Sequence, residues 1–522
     1  MPVELMKTHV DVNEMTKREN TQIVKERDMI VPDGKPDMQR VVYLDGKINM
    51  DQVDVQPDRV VYKGQVDVTI LYVADNNKDV YTMRGSIPLE DFIIIDGIDP
   101  DQRVEFDYSI EHMHWNILNE RKLNVKAIIE MGAGATKSKE VTMVTDITSD
   151  APVQTRMKNV DIVKQSGTKE EKIIVKDEIT IPQGKSSIGE ILCLNTRVRE
   201  EQIKRTDNEI LFNGVVEIDT LYKSQDNENG VEVFTNRIPF AGNADSIKAD
   251  NEMAWECELE VHPTNMQINP DYDGEDRIIE LECIVTARYS TFDKINEQVI
   301  EDIYCPGKSV DIKENVEEYM TLASRADVTS TKKEVISLED TTPENNEIFN
   351  IHIKPMIDEK NIQGDKLTIS GMLEVKTTYT NKEGINPVET SITMVPFNQE
   401  LSIESIDKKP YLDVKVVPKD IQVLNQGRGE VTIEYVLNYI ANVYTRENLS
   451  VLEDIALVDM DKQILGEYPS ITVYVARKGD SLWDIAKRFN TTVNDIVEIN
   501  GLEDSGILNQ GQKIIVLKKV KF

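Results

Sequence analysis

Between Asp58 and Tyr72 the chain reads "DRVVYKGQVDVTILY", and from Gly64 onward apolar and polar positions alternate. Val66, Val68 and Ile70 fall on one face, with Gln65, Asp67 and Thr69 on the other. Period two with many β-branched side chains predicts a half-buried strand. The scheme returns in "NEILFNGVVEIDTLY" (208–222) and in "DKLTISGMLEVKTTY" (365–379). In each copy a glycine (Gly64, Gly214, Gly371) stands eight residues before a tyrosine (Tyr72, Tyr222, Tyr379). Polar turns ("ADNNKD", "SQDNENG", "TNKEG") follow, then another alternating run, so each copy predicts a hairpin. A later proline, Pro88, Pro239 or Pro396, is expected to end the second strand, since it cannot donate to a ladder.

The repetition reaches beyond the hairpins. "IVPDGKPDMQRVVYLDGKI" (30–48) recurs as "TIPQGKSSIGEILCLNTRV" (180–198), with Pro32, Gly34 and Lys35 matching Pro182, Gly184 and Lys185 at an offset of 150. The third copy lies 157 residues further on. Each unit closes on a long strand pattern: "KLNVKAIIEM", "IIELECIVTARY" and "EVTIEYVLNYIANVY". The chain is therefore read as mainly β, with three tandem β-sandwich-like repeat domains over 1–150, 160–310 and 331–465. The third copy lacks the P-x-G-K lead-in. In its place Ile312, Val316, Tyr319, Met320 and Ala323 recur at helical spacing, which predicts a connecting helix over 311–330. "GATKSKEVTMV" onward and "LEDTTPENNE" read as linkers.

From Ile471 the pattern changes. Ile471, Val473 and Val475 alternate with Thr472, Tyr474 and Ala476 in a short strand. Asp480 or Ser481 then caps a helix, with Asp484 at capping-box distance from Ser481. Leu482, Ile485, Ala486 and Phe489 share one face of it. Thr492 caps a second helix, with Asp495 three residues on. Val493, Ile496 and Val497 face inward there, with Ile499 at the margin. Asn500-Gly501 ends the helix, glycine serving a left-handed C-cap. "KIIVL" forms a second strand. Residues 470–520 thus predict a small α+β (βααβ) unit.

Composition narrows the function. Lys and Arg number 60 against 94 Asp and Glu, a net charge of −34. That excludes a protein built to coat nucleic acid, which needs clustered cations, and it repels anionic lipid. The N-terminus shows no basic region followed by an apolar core, and runs such as "FIII" (92–95) are too short to cross a bilayer, so a cytoplasmic protein without transmembrane segments is expected. The cysteines at 193, 257, 283 and 305 form no C-x-x-C pair and no zinc spacing, and read as reduced thiols. "NPDYDGEDRIIE" (269–280) imitates a calcium loop through Asn269, Asp271, Asp273, Gly274 and Glu280. Its flanks are strand patterns, however, so a hairpin turn is expected. His112 and His114 share a strand face without a third ligand. "GAGATK" (132–137) is no phosphate loop, and the chain has no G-x-S-x-G elbow. Neither a catalytic group, a metal site nor a cofactor is expected.

Residues Val475, Gly479-Asp480-Ser481-Leu482, Ile485-Ala486, Phe489, Thr492, Ile496, Asn500, Leu508, Gly511 and Ile514 closely resemble the LysM pattern. That resemblance implies an N-acetylglucosamine-glycan groove between two loops, made here of Lys478, Gly479, Asp480, Ser481, Leu482 and Trp483 on one side and Asn500, Gly501, Leu502, Ile507 and Leu508 on the other. Backbone polar groups and apolar side chains suit a sugar, and the same groove can accept a peptide. With its lead-in "IVPDGKPDMQRVVYLDGKI", the whole chain is similar to the SipL-like clostridial family of spore-coat morphogenetic proteins. This implies a scaffold in the mother-cell cytoplasm at the forespore surface, whose LysM domain binds the basal-layer coat ATPase and so supports coat localisation and encasement. The β repeats would contact other coat proteins or self-associate through exposed edges. The alternative is a peptidoglycan-binding protein.

Overall fold

The computed structural model describes residues 3–75, 79–225, 230–247, 252–338, 346–381, 386–406, 408–427, 429–460, 469–502 and 508–517. Each repeat contributes six strands. In the first they are β1 (Glu4–Ile30), β2 (Met38–Gln56), β3 (Arg59–Ala74), β4 (Val80–Ile94), β5 (Arg103–Asn119) and β6 (Lys122–Thr148). The second has β7 (Gln154–Thr180), β8 (Ile188–Arg205), β9 (Glu209–Ser224), β10 (Val231–Asp245), β11 (Glu252–Pro270) and β12 (Asp276–Tyr304). The third has β13 (Lys308–Ser337), β14 (Ile348–Gln363), β15 (Lys366–Thr380), β16 (Val388–Ser402), β17 (Tyr411–Gly427) and β18 (Glu430–Asp459). The chain ends in β19 (Ile471–Val475), α1 (Leu482–Arg488), α2 (Val493–Asn500) and β20 (Lys513–Leu517).

Every repeat is a sandwich of two antiparallel three-stranded sheets, ordered β2-β3-β4 and β1-β6-β5 in the first. The alternation read from the sequence decides how they face. Val66, Val68 and Ile70 of β3 pack against Leu123, Val125, Ala127 and Ile129 of β6 in one buried core. The glycine–tyrosine landmark has a physical cause. Gly64, Gly214 and Gly371 each sit opposite a bulge in the neighbouring strand. A Cβ on Gly64 would lie 2.4 Å from the Asn49 carbonyl oxygen, and one on Gly371 2.0 Å from that of Met356. Tyr72 and Tyr222 are buried and donate to the carbonyls of Pro36 and Ser186, which ties the strand to its own lead-in.

Four sequence readings are corrected. The segment 311–330 is not a helix but part of β13, paired with β18 along its whole length, so the third repeat begins at 308. Bulges at Lys313/Glu314 and Leu322/Ser324 break the period of two there, and pairing with a strand over a hundred residues away overrides a helix-like local pattern. "GATKSKEVTMV" is no linker either, for it continues β6 against β1. Just before it in β6, Gly132 marks a close approach: a Cβ there would meet Asp107 Oδ2 at 2.4 Å. The same placement takes "GAGATK" out of the linker class. Finally, Pro88, Pro239 and Pro396 lie inside β4, β10 and β16. All three are edge strands, where a missing N–H interrupts no ladder. Of "LEDTTPENNE" (338–347), residues 339–345 lie outside the described residues.

The first and last strands of each repeat run on past the sandwich as two-stranded ribbons, and the three ribbons close around a common core. Val10, Val141, Val160, Val299, Tyr319 and Leu449 in that core come from six different strands. The inner sheets meet as well, through Tyr43, Leu71, Val73, Leu192, Leu221, Val233, Phe349 and Val388. The contacts run in a cycle. Lys35 of the first repeat pairs with Glu190 of the second, and Lys185 of the second pairs with Glu347 of the third, at equivalent places. Lys47 donates to the Val261 carbonyl across the first–second junction, and Lys354 to that of Ile110 across the third–first junction. Arg199 closes the second–third junction on the Ile421 carbonyl. Three lobes on a three-ribbon stalk therefore form one body with pseudo-threefold order.

Candidate functional site

The C-terminal module folds as its sequence predicts. Ser481, not Asp480, is the first cap, its hydroxyl accepting from Asp484 N–H at 3.1 Å. Thr492 does the same for Asp495 at 3.1 Å. Gly501 takes a left-handed φ of 61° at the end of α2. Ala476, Leu482, Ile485, Ala486, Ile496, Ile514 and Val516 form the module's core. Ile499 stays 39% exposed, so it belongs to the surface.

The residues expected to line the groove divide by role. Lys478 and Gly479 are exposed at the turn after β19. Asp480 is spent on the fold: its carboxylate accepts from Arg477 N–H at 2.8 Å and from the Tyr474 hydroxyl at 2.7 Å. Those two bonds hold its pKa below the ordinary aspartate value. Leu482 is core, while Leu502 and Leu508 are half-buried against the same cluster, so both loops hang on one core. Asn500 accepts from Ile515 N–H and donates to its carbonyl, both at 2.7 Å, fixing the end of α2 to β20. Ile507 lies outside the described residues.

Trp483 does something else. Its ring meets Tyr304, the last residue of β12, edge to face with centroids 4.8 Å apart. Its Nε1 donates to Asp302 Oδ2 at 2.7 Å, and Lys487 reaches Asp302 Oδ1 at 2.7 Å. Arg156 of β7 lies 5.7 Å from the Trp483 ring centroid and 3.8 Å from Asp484. Gly307 N–H donates to Asn490 Oδ1 at 2.8 Å. Burial raises the Asp302 pKa, but Lys487, the indole and the Ile303 N–H outweigh it, and the carboxyl titrates below the ordinary range. Trp483 is thus an anchor that seats the module on the base of the stalk. Sequence reasoning could not find its partners, which lie 181 residues away for Asp302. The one available hint was a large aromatic on α1 beside, not within, the apolar stripe.

Family models find three copies of the SipL SPOCS domain, at 37–118, 187–269 and 346–425, and a LysM domain at 474–516. The chain thus has the SipL-like arrangement of tandem SPOCS domains and a C-terminal LysM domain. Among curated proteins none matches significantly. Each SPOCS match covers an inner sheet and the edge strand that follows, β2–β5, β8–β11 and β14–β17. The first strand of each repeat and the last, which supply the stalk, flank those matches. The LysM domain, with the few residues after it, carries eight basic and six acidic residues between 470 and 522, in contrast to the acidic remainder.

Elsewhere the residues singled out from sequence have structural places. Asp271 accepts from the N–H groups of Asp273 and Glu275 in the hairpin turn between β11 and β12, and Glu280 pairs with Lys176. His112 and His114 are solvent-exposed on β5. All four cysteines are free thiols. Burial pushes Cys193 and Cys257 up to about 12 and Cys283 up to about 11, which keeps them protonated and unreactive. No helix among the described residues is long and apolar enough to cross a membrane.

Proposed function

We propose that this protein is a non-enzymatic scaffold for spore-coat assembly at the forespore surface, in the mother-cell cytoplasm. Its LysM domain binds the coat morphogenetic ATPase, and the three SPOCS domains carry further coat contacts. Coat localisation and encasement depend on the LysM contact. The observation that supports this reading is one LysM domain seated by Trp483 at the base of a three-SPOCS body, a single recognition head on a large frame.

The test compares the full chain with one ending at residue 469. Coat ATPase captured by the full chain and lost with the LysM domain is the expected result. Retention on purified peptidoglycan, with no capture of the ATPase, overturns the scaffold reading in favour of a glycan-binding protein.

A further inference from the structure

The two-stranded LysM sheet has one edge closed and the other open. Even-numbered residues of β19 turn their main chain toward β20: Ala476 N–H donates to the Gln512 carbonyl at 2.9 Å, and the Ala476 carbonyl accepts from Gly511 N–H at 2.8 Å. Antiparallel alternation puts Thr472 and Tyr474 in the same class, opposite Val516 and Ile514. On β20 the main chain of Ile515 points away from β19, and the Asn500 amide takes up both its N–H and its carbonyl. Those two bonds imitate a third strand and close that side.

The other side has no such cover. Ile471, Val473 and Val475 direct their N–H and carbonyl groups outward from β19. Among the described residues no hydrogen bond from outside the β19–β20 pair reaches them. Their side chains stand 65, 60 and 50% exposed, beside Ile515 at 41%. Lys513 is opposite Val475 in register and exposed, and Arg477 and Lys478 are exposed in the turn beyond it. Unpaired main chain, an apolar stripe at every second residue and three cations at one end are thus brought together.

We propose that β19 is a strand-addition site that takes an extended, acid-flanked segment of a partner protein. This rests on the reading of the LysM domain as a protein-binding head, and it moves the contact from the loops to the sheet edge. An incoming strand would run about 4.8 Å from β19. It would form main-chain bonds with Ile471, Val473 and Val475 and lay its own alternate apolar side chains beside theirs. A carboxylate at the Val475 end meets Lys513, Arg477 and Lys478, so charge selects among segments that could make the same main-chain bonds. The chain as a whole, at −34, would repel such a segment elsewhere and leaves this edge as the favourable place for it.

The probe is a fluorescein-labelled peptide of alternating Val and Thr flanked by Glu, against the same peptide flanked by Lys, titrated into the full-length protein by anisotropy. The Glu-flanked peptide is expected to bind at least tenfold more tightly at low salt, with the gap closing at about 1 M, where the Debye length is ~3 Å. Val473→Glu, on an exposed face, should weaken the Glu-flanked peptide at least tenfold. Val473→Pro deletes an outward N–H on an edge strand and should weaken both. Circular dichroism and thermal unfolding of each variant confirm the fold. Equal affinity for the two peptides, or undiminished binding by Val473→Glu, overturns the proposal. So does a self-associating wild-type chain that Val473→Glu makes monomeric, since the occupant would then be a second copy. ATPase capture that survives Val473→Glu removes the edge and leaves the scaffold reading standing, whereas failure of wild type to capture removes the scaffold reading.

Discussion

Glu217 of β9 shows how single residues make near-equal repeats unequal. Its buried carboxylate holds Arg197 at 2.6 Å, Arg199 at 3.1 Å and Arg237 at 2.9 Å. Burial raises its pKa, but Arg197 and Arg199 outweigh that and bring it below the ordinary glutamate value. Asp67 and Glu374 stand at the equivalent places of the other repeats without three arginines. Glu217→Gln leaves the buried Arg199 guanidinium with Asp420 at 3.7 Å as its remaining carboxylate, and breaking a buried pair costs about 3–5 kcal/mol. A urea titration at pH 7 should therefore show a clearly lower midpoint. An unchanged midpoint would mean the cluster is solvated in solution. At the stalk base the sign of the pH effect follows from Asp302, whose folded pKa is depressed. Its contribution to docking is complete above the unfolded value of about 3.9 and is lost as pH falls through the lower folded value. With Trp115→Phe and Trp255→Phe, Trp483 is the sole indole. Its emission should hold from neutral pH to about 4 and shift red below. A midpoint near neutrality would exclude Asp302 as the controlling group.

At the scale of elements, the periodic runs were legible, those of β6, β12 and β18 included, whereas β13 and the far end of β6 were not. "GQVDVTILY" announces its strand because one face is buried and the other is not, and the LysM helices announce theirs by caps at Ser481 and Thr492. The stretch from Lys308 to Ser337 carries no such signal. Its apolar residues are spaced by bulges, and its partner β18 is distant in sequence, so the information that makes it a strand lies in the partner. The small residues of β6 misled in the same way: Gly132 and Gly134 look like a linker, yet both lie in a paired strand, and at Gly132 the side chains of Asp107 and Asn20 crowd the place a Cβ would take. The candidate groove was legible as a fold signature, whereas the Trp483 anchor needed residues from another repeat. The bulge glycines give a direct check. Gly371→Ala forces a Cβ to within 2.0 Å of a backbone oxygen, and overpacking of this kind costs about 1–3 kcal/mol. Gly34→Ala meets nothing within 4 Å and should stay within ~0.5 kcal/mol of wild type. Comparing the thermal denaturation of the two variants separates crowding from a general intolerance of lead-in or strand changes.

For the whole molecule, three SPOCS repeats in one chain behave as a closed ring of interfaces, and closure itself can be tested. Each repeat gives one face to the next and receives one from the last, through pairs such as Lys35–Glu190 and Lys185–Glu347 and through the shared apolar core of the inner sheets. Deleting residues 308–459 leaves Leu71, Val73, Leu192 and Leu221 on the inner sheets, and Val10, Val141, Val160 and Ile162 on the stalk, without their third partner. Each fully exposed side chain of this size forfeits about 1.5–3 kcal/mol of burial. The two open faces are those that the missing repeat joined, so they are not copies of one another. A chain with two non-identical, unsatisfied faces covers them only by heterologous contact with further copies, giving rings or open chains instead of a twofold dimer. The two-repeat protein should therefore elute above the mass of one copy by light scattering and bind an apolar dye that the full-length chain excludes. A clean monomer with no dye binding would show that the repeats are independent beads and that the pseudo-threefold body does not hold together through these cores.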